Sequence, residues 1–320
     1  MFVYKINKIY KELKRIVRKL FYLRIYRKDT PGDTLKFYNR MRYLYINEFK
    51  ARESFSKSLN NVKFVDTLSQ DGFIVVNLSE ISKREEFVNT IEKFRKKFDE
   101  ITQNQRKEIK NFSKDYLLNY DLEFNSNVKN IADPFIDIAT KYLGTLPILT
   151  SFSMLYSANI SEELVGSKLL HRDGEDFKQL KIFIPIEEVQ KENGPLHVIN
   201  KDESKKLYEN LIKQKKIYRR NQTIDDKSLE ESKLNIYKIL MNNKQCALVD
   251  TSVCYHFGSR KSLKPRKLLA LQFTTAFSAK TPIFRSYDSD KKFTLQKDKF
   301  VYGLQKKIST HNEKSIYLKV

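Results

Sequence analysis

The chain changes texture after Gly144, and that change limits what it can fold into. Short β-rich runs follow one another at 147–157, 166–172, 180–186, 196–199, 236–241, 246–250, 253–257 and 267–277. Eight short runs separated by turn signals predict an antiparallel sandwich or barrel. One polar stretch, 201–234, interrupts them; its Lys and Glu richness predicts a helical insertion with few apolar positions.

The first half reads differently. Within residues 1–28 there are ten Lys/Arg and one Glu, while Phe2, Ile6, Ile9, Leu13, Ile16, Leu20 and Leu23 recur at steps of three and four. That spacing makes a basic amphipathic helix. Its apolar stripe would bury against the chain's own core, in a partner groove, or on an anionic membrane surface as a peripheral contact. Pro31-Gly32 ends it, and a second helical stretch follows over 36–57. The run Gly72-Phe73-Ile74-Val75-Val76, entered through a turn at Gln70-Asp71, reads as a short buried strand. Phe87, Ile91, Phe94, Phe98 and Ile101 place a long helix over 83–112, and 131–143 is a shorter one. The expected organisation is a basic helical segment over 1–60, a mainly β domain with flanking helices over 61–280, and a basic tail over 281–320.

Composition excludes several classes. With 40% hydrophobic and 12% aromatic residues, the chain can build a core and is not wholly disordered. No apolar run approaches the roughly 18 residues of a membrane span. Two cysteines make no disulfide framework, and no secretory h-region is visible, so a cytoplasmic setting is expected. The net charge of +22 attracts anions in general. Without a helix-turn-helix, zinc-finger or RNP-like signature, no specific nucleic acid is expected.

The chemistry concentrates in few residues. Of four histidines, His171 ends a β-rich run and is followed two residues later by Asp173, which an extended backbone projects to the same side. His256 lies 83 residues beyond Asp173, near the end of another run. Two imidazoles and one carboxylate on one face of an octahedral ion, with the other positions open, form the facial triad of non-haem Fe(II) oxygenases. Arg266, ten residues past His256, opens a further strand and can hold a carboxylate through two parallel hydrogen bonds. Arg260, in the basic loop 259–264, is its rival; a strand holds a guanidinium more rigidly than a loop. That loop reads as solvated or as a contact for a phosphorylated or CoA-linked substrate. His197 reads as a core or rim histidine, His311 as a surface residue, and Cys246 and Cys254 as small buried hydrophobes.

From Asp71 to about Phe277 the sequence resembles the phytanoyl-CoA dioxygenase-like family of Fe(II)/2-oxoglutarate-dependent oxygenases. His171-Arg172-Asp173, Glu192-Asn193-Gly194-Pro195-Leu196, His256-Phe257-Gly258-Ser259 and Pro265-Arg266-Lys267-Leu268 carry the likeness, in that order. Two turns depart from the family pattern: Val198-Ile199-Asn200-Lys201-Asp202 stands where Pro-Gly-Ser-His is usual, and Lys244-Gln245 replaces Gly-Asp. The resemblance implies a double-stranded β-helix (jelly-roll or cupin-like) core with N-terminal helices. It implies Fe(II) on His171, Asp173 and His256, 2-oxoglutarate with its far carboxylate on Arg266, and ascorbate as an accessory reductant. The implied reaction is hydroxylation of a small-molecule, lipid-, CoA- or carbohydrate-linked substrate, with release of succinate and CO2. Retention of Asp173 favours hydroxylation over halogenation, because a small residue there would open a halide site. On this reading 201–234 is a mobile lid over the active-site mouth. The alternative is an inactive oxygenase fold serving as a basic membrane- or polyanion-binding module.

Overall fold

The computed structural model describes residues 34–44, 46–109, 117–121, 125–157, 164, 166–217, 223–258, 260, 263–278 and 301. The basic helix read over 1–28 lies outside the described residues, as does the 281–320 tail except for Val301, which is buried in the main core.

Nine strands build two antiparallel sheets among the described residues. They are β1 (Phe73–Asn77), β2 (Leu117–Asp121), β3 (Ile148–Ser157), β4 (Gln179–Pro185), β5 (Leu196–Val198), β6 (Tyr237–Ile239), β7 (Gln245–Val249), β8 (His256–Phe257) and β9 (Arg266–Thr274). The larger sheet runs β1-β7-β4-β9-β3-β2, the smaller β6-β5-β8. At the centre of the larger sheet β9 pairs with both β3 and β4, so Lys181, Gln272 and Ser151 lie side by side across three strands.

Alternation along the strands divides this sheet into two faces. Leu180, Ile182 and Ile184 of β4, Leu269, Leu271 and Phe273 of β9, and Phe152 and Met154 of β3 are buried together. They join Phe87, Ile91, Phe94 and Phe98 of the helix Glu85–Ile109 and Ile136, Ala139 and Leu143 of the helix Ile136–Leu143. The opposite parity carries Gln179, Lys181, Ala270, Gln272, Ser151 and Ser153. One face stabilises the domain; the other is available for chemistry.

The helical stretch expected over 36–57 is two helices, Thr34–Leu44 and Ile46–Ser58. They belong to the body of the protein: Phe37, Met41 and Phe49 cluster with Ile148, Ala276 and Phe277. Arg52, buried with Glu48 at 2.9 Å, donates to the Leu146 carbonyl at 3.0 Å and so ties the second helix to the start of β3. Gly72 ends the helix Val65–Asp71 at φ +83° and turns the chain into β1. A Cβ there would lie 2.3 Å from Cys254 Sγ, so the close approach of this turn to the chain leading into β8 also requires glycine. Both cysteines are free and buried.

Several expected strands are shorter than their sequences suggest, two of them for a visible reason. Residues 166–168 form a 3-10 turn, and pairing begins only at Leu170 and His171. Residues 251–254 form a turn before β8, because the buried Asp250 carboxylate accepts from the Ser252 amide (2.9 Å), the Val253 amide (3.2 Å) and the Ser252 hydroxyl (2.6 Å). The insertion contains the helices Lys201–Lys213 and Asp226–Ser232, and it is richer in core than its charge suggests. Leu207, Leu211, Ile217, Ile224 and Leu229 are all buried with Leu170, Ile199, Tyr255 and Phe257. Among the described residues no helix is long and apolar enough to cross a membrane.

Candidate metal centre

Two short backbone segments meet at one point of the fold. The His171 amide donates to the His256 carbonyl at 3.1 Å, and the His256 amide donates to the His171 carbonyl at 2.9 Å. This reciprocal antiparallel bridge sets the two imidazoles side by side, with ring centroids 4.4 Å apart. Asp173, two residues on, is fixed by its amide donating to the Thr251 carbonyl at 2.8 Å.

The tautomers follow from the partners. His171 Nδ1 lies 2.7 Å from the Leu169 carbonyl, and His256 Nδ1 lies 3.1 Å from the Cys254 carbonyl. A carbonyl only accepts, so each Nδ1 carries the proton and each Nε2 presents a lone pair. His171 Nε2 is 3.7 Å and His256 Nε2 is 4.0 Å from Asp173 Oδ1. Adjacent ligands of an octahedral ion with bonds of about 2.1 Å stand about 3 Å apart, so a small contraction closes this set on a metal. His171, Asp173 and His256 form the cluster of potential metal ligands among the described residues. Backbone acceptors behind both imidazoles are the usual orienting partners of metal-bound histidines.

Charge and burial prepare the donors. Burial pushes His256 down to about 3; nearby His171 acts the same way, while Asp173 opposes. Its imidazole is therefore neutral at physiological pH. Burial alone would raise the Asp173 carboxyl, but the Lys181 ammonium and both histidines outweigh it and hold the carboxyl well below the usual range. Lys181 Nζ lies 2.6 Å from Asp173 Oδ2, and Gln179 Nε2 donates to the same oxygen at 3.0 Å. Gln179 Nε2 also donates to Thr251 Oγ1 at 2.7 Å, and its Oε1 accepts from Gln272 Nε2 at 3.2 Å. With Oδ2 thus engaged, Oδ1 is the atom turned towards the imidazoles, which suits a carboxylate binding through one oxygen.

Arg266 opens β9 opposite Ser157 and is buried. Its Nη1 donates to the Gly194 carbonyl at 2.8 Å. A Cβ on Gly258 would sit 3.2 Å from Nη2, so the absence of a side chain two residues after His256 leaves room for the guanidinium. Burial lowers Arg266 to about 10, still cationic at neutral pH. The rival Arg260 is committed elsewhere: Nη1 donates to both oxygens of Asp226, at 2.9 and 3.0 Å, Nε donates to the Lys168 carbonyl, and the guanidinium lies over the Phe257 ring at 3.8 Å. His197 stacks on Phe257 with centroids 4.6 Å apart and is not in the ligand cluster. His311 lies outside the described residues.

Sequence reasoning missed Lys181, Gln179 and Gln272. A signal was present in Gln179-Leu180-Lys181-Ile182-Phe183-Ile184, where two polar residues share one parity inside an otherwise apolar strand.

No protein-family profile matches the sequence, and a search of curated proteins finds no significant relative. Solved structures with a similar fold include EvdMO1, at 14% identity over 66% of this chain with a TM-score of 0.42. The chain spans 49% of the length of EvdMO1. Another is the epimerase SnoN in complex with Fe3+, alpha ketoglutarate and nogalamycin RO, at 10% identity over 73% of this chain and 92% of that one, TM-score 0.44. A third is EctD from S. alaskensis with bound Fe, at 16% identity over 68% and 77%, TM-score 0.42. At scores this low the functional reading rests on the side-chain geometry.

Proposed function

We propose that the protein is an Fe(II)- and 2-oxoglutarate-dependent oxygenase that hydroxylates a small-molecule substrate, and that its two sheets are the halves of a double-stranded β-helix. One observation carries the reading: His171, His256 and Asp173 each bring a ligand atom within 4.8 Å of the others, both Nε2 atoms lie 3.7 and 4.0 Å from Asp173 Oδ1, and each residue has an orienting partner behind it. Two imidazoles and one carboxylate on a single face suit Fe(II) and leave its other face open. When bound, Fe(II) and 2-oxoglutarate supply a two-electron oxidation by dioxygen in which the co-substrate is decarboxylated to succinate.

The chain's own residues do the rest. His171, Asp173 and His256 hold the ion. Arg266 takes the far carboxylate of 2-oxoglutarate; its bonds from Nη1 to the Gly194 carbonyl at 2.8 Å and from Nη2 to Ser157 Oγ at 3.5 Å set the plane of the guanidinium. Lys181 and Gln179 keep Asp173 from swinging its second oxygen onto the metal. The test is Fe(II)-dependent release of succinate from 2-oxoglutarate in the presence of ascorbate, with and without candidate substrates. Parent protein that turns over no co-substrate under any of these conditions, and binds no Fe(II), would point to an inactive oxygenase fold.

A further inference from the structure

The two metal-ligand segments have outward faces as well as inward ones. His171 and Asp173 turn towards the candidate metal, so Leu170 and Arg172 turn away; His256 turns inward, so Tyr255 and Phe257 turn away. All four outward side chains meet the 201–234 insertion or the arginine tied to it. Leu170, Tyr255 and Phe257 are buried with Leu207, Leu211, Ile217, Ile224 and Leu229. Arg172 lies over both the Tyr208 ring of the insertion, at 4.4 Å, and the Tyr255 ring, at 4.5 Å. Arg260, over Phe257, is ion-paired with Asp226.

The backbone contacts repeat the pattern. The Ile224 amide donates to the Leu170 carbonyl at 2.8 Å, one residue before His171. The Tyr255 amide, one residue before His256, donates to Ser204 Oγ at 2.9 Å, and that hydroxyl in turn donates to the Ile199 carbonyl at 3.0 Å. Ser204 is fully buried on the helix Lys201–Lys213, whose first turn is fixed by Asn200 accepting from the Glu203 amide at 2.8 Å. The insertion therefore bonds to the residue preceding each ligand histidine. These contacts hold the histidines from behind, on the side facing away from the site.

We propose that the described parts of the insertion, 201–217 and 223–234, are a fixed support that positions the two histidine ligands, with Ser204, Tyr208 and Arg172 as positioning residues, and that they do not open as a lid. The inference rests on the metal reading above for its consequence, but its mechanical part concerns the protein alone. Loosening the insertion frees the Leu170–Asp173 and Cys254–Phe257 segments without altering any ligand.

The test pairs a metal-free measurement with a metal-bound one, on the full chain. In the Ser204→Ala/Tyr208→Ala double variant, amide exchange across 169–173 and 254–258 should accelerate about 10-fold or more relative to the parent. Co(II) affinity should fall about 10-fold or more, with a changed visible ligand-field spectrum. Tyr208→Phe, which keeps the ring face for Arg172, should retain parent values for both. Phe49→Leu, which loosens the remote cluster around Phe277, should leave the Co(II) spectrum unmoved. If the double variant does not fold, Ser204→Ala alone carries the same comparison with a smaller change. Parent-like exchange in those two segments, or exchange equally fast in the parent, overturns the proposal. A parent that binds no Co(II) refutes the metal reading instead, while the exchange comparison still decides this one.

Discussion

The two faces of the six-stranded sheet are made by the same strands with opposite parity, and they do opposite work. Leu180, Ile182 and Ile184 look outward into a fully buried apolar layer beneath the helix Glu85–Ile109; Gln179 and Lys181, one residue out of step, look inward onto the Asp173 carboxylate. Across β9 the contrast repeats between Leu271 and Phe273 on one side and Ala270 and Gln272 on the other. The outer face binds the domain together through area removed from water. The inner face gives up that gain to hold polar groups in fixed positions. Stability and chemistry should therefore be separable by mutation.

The largest effect is expected on the outer face. Phe152→Ala should cost about 3–5 kcal/mol of unfolding free energy by denaturant titration, from lost burial and a residual cavity, with metal affinity unchanged under conditions where the variant is folded. On the inner face the reverse holds: Arg266→Ala should weaken 2-oxoglutarate binding by about 2–5 kcal/mol in calorimetry while Fe(II) affinity stays at the parent value. An unaltered co-substrate affinity in this variant would remove Arg266 from the site. A third step is smaller still. Gln179→Leu deletes one of the two donors to Asp173 Oδ2 and should lower metal affinity 10–100-fold, roughly 1.4–2.7 kcal/mol.

A pH measurement sharpens the same contrast in the metal-free protein. His256 is held at about 3 when folded, below its ordinary 6.5, so the unfolded chain binds the extra proton between those values. Stability from this group is thus fully present above the ordinary value and is lost as pH falls towards 3, with a slope approaching about 1.4 kcal/mol per pH unit. Asp176, raised by burial to about 7, pulls the other way over an overlapping window, and His197, lowered by burial to about 4, pulls the same way, so the parent profile alone blends these groups. The difference between the parent and His256→Gln isolates the imidazole. A difference profile that is flat between pH 3.5 and 6.5, an interval taken from about the two limiting values, would show that His256 is not buried as a neutral ring.

Much of the candidate site was legible because its residue types are rare and its spacing is local. His171 and Asp173 sit two apart on an extended backbone, and Arg266 begins a strand that is apolar almost throughout. What sequence could not supply was the pairing: nothing in the chain announces that Thr251 receives the Asp173 amide or that His256 bridges His171. Local propensity also misled. Val253 and Tyr255 look like strand, yet the Asp250 carboxylate takes up the amides at 252 and 253 and makes a turn. The short edge strand Leu117–Asp121 went unread because its five residues include Asn and Asp, and only its partner β3 makes it a strand. The insertion looked coreless because Leu207 and Leu211 stand among lysines, and Ile217, Ile224 and Leu229 join them only through tertiary packing.

Anaerobic titration of the parent with Fe(II), in the presence and absence of 2-oxoglutarate, tests the central claim most directly. One Fe(II) per chain is expected, lost in His256→Ala, with 2-oxoglutarate binding that is strong only when Fe(II) is present. A chain that binds no Fe(II), or that binds it equally well without His256, would contradict the claim.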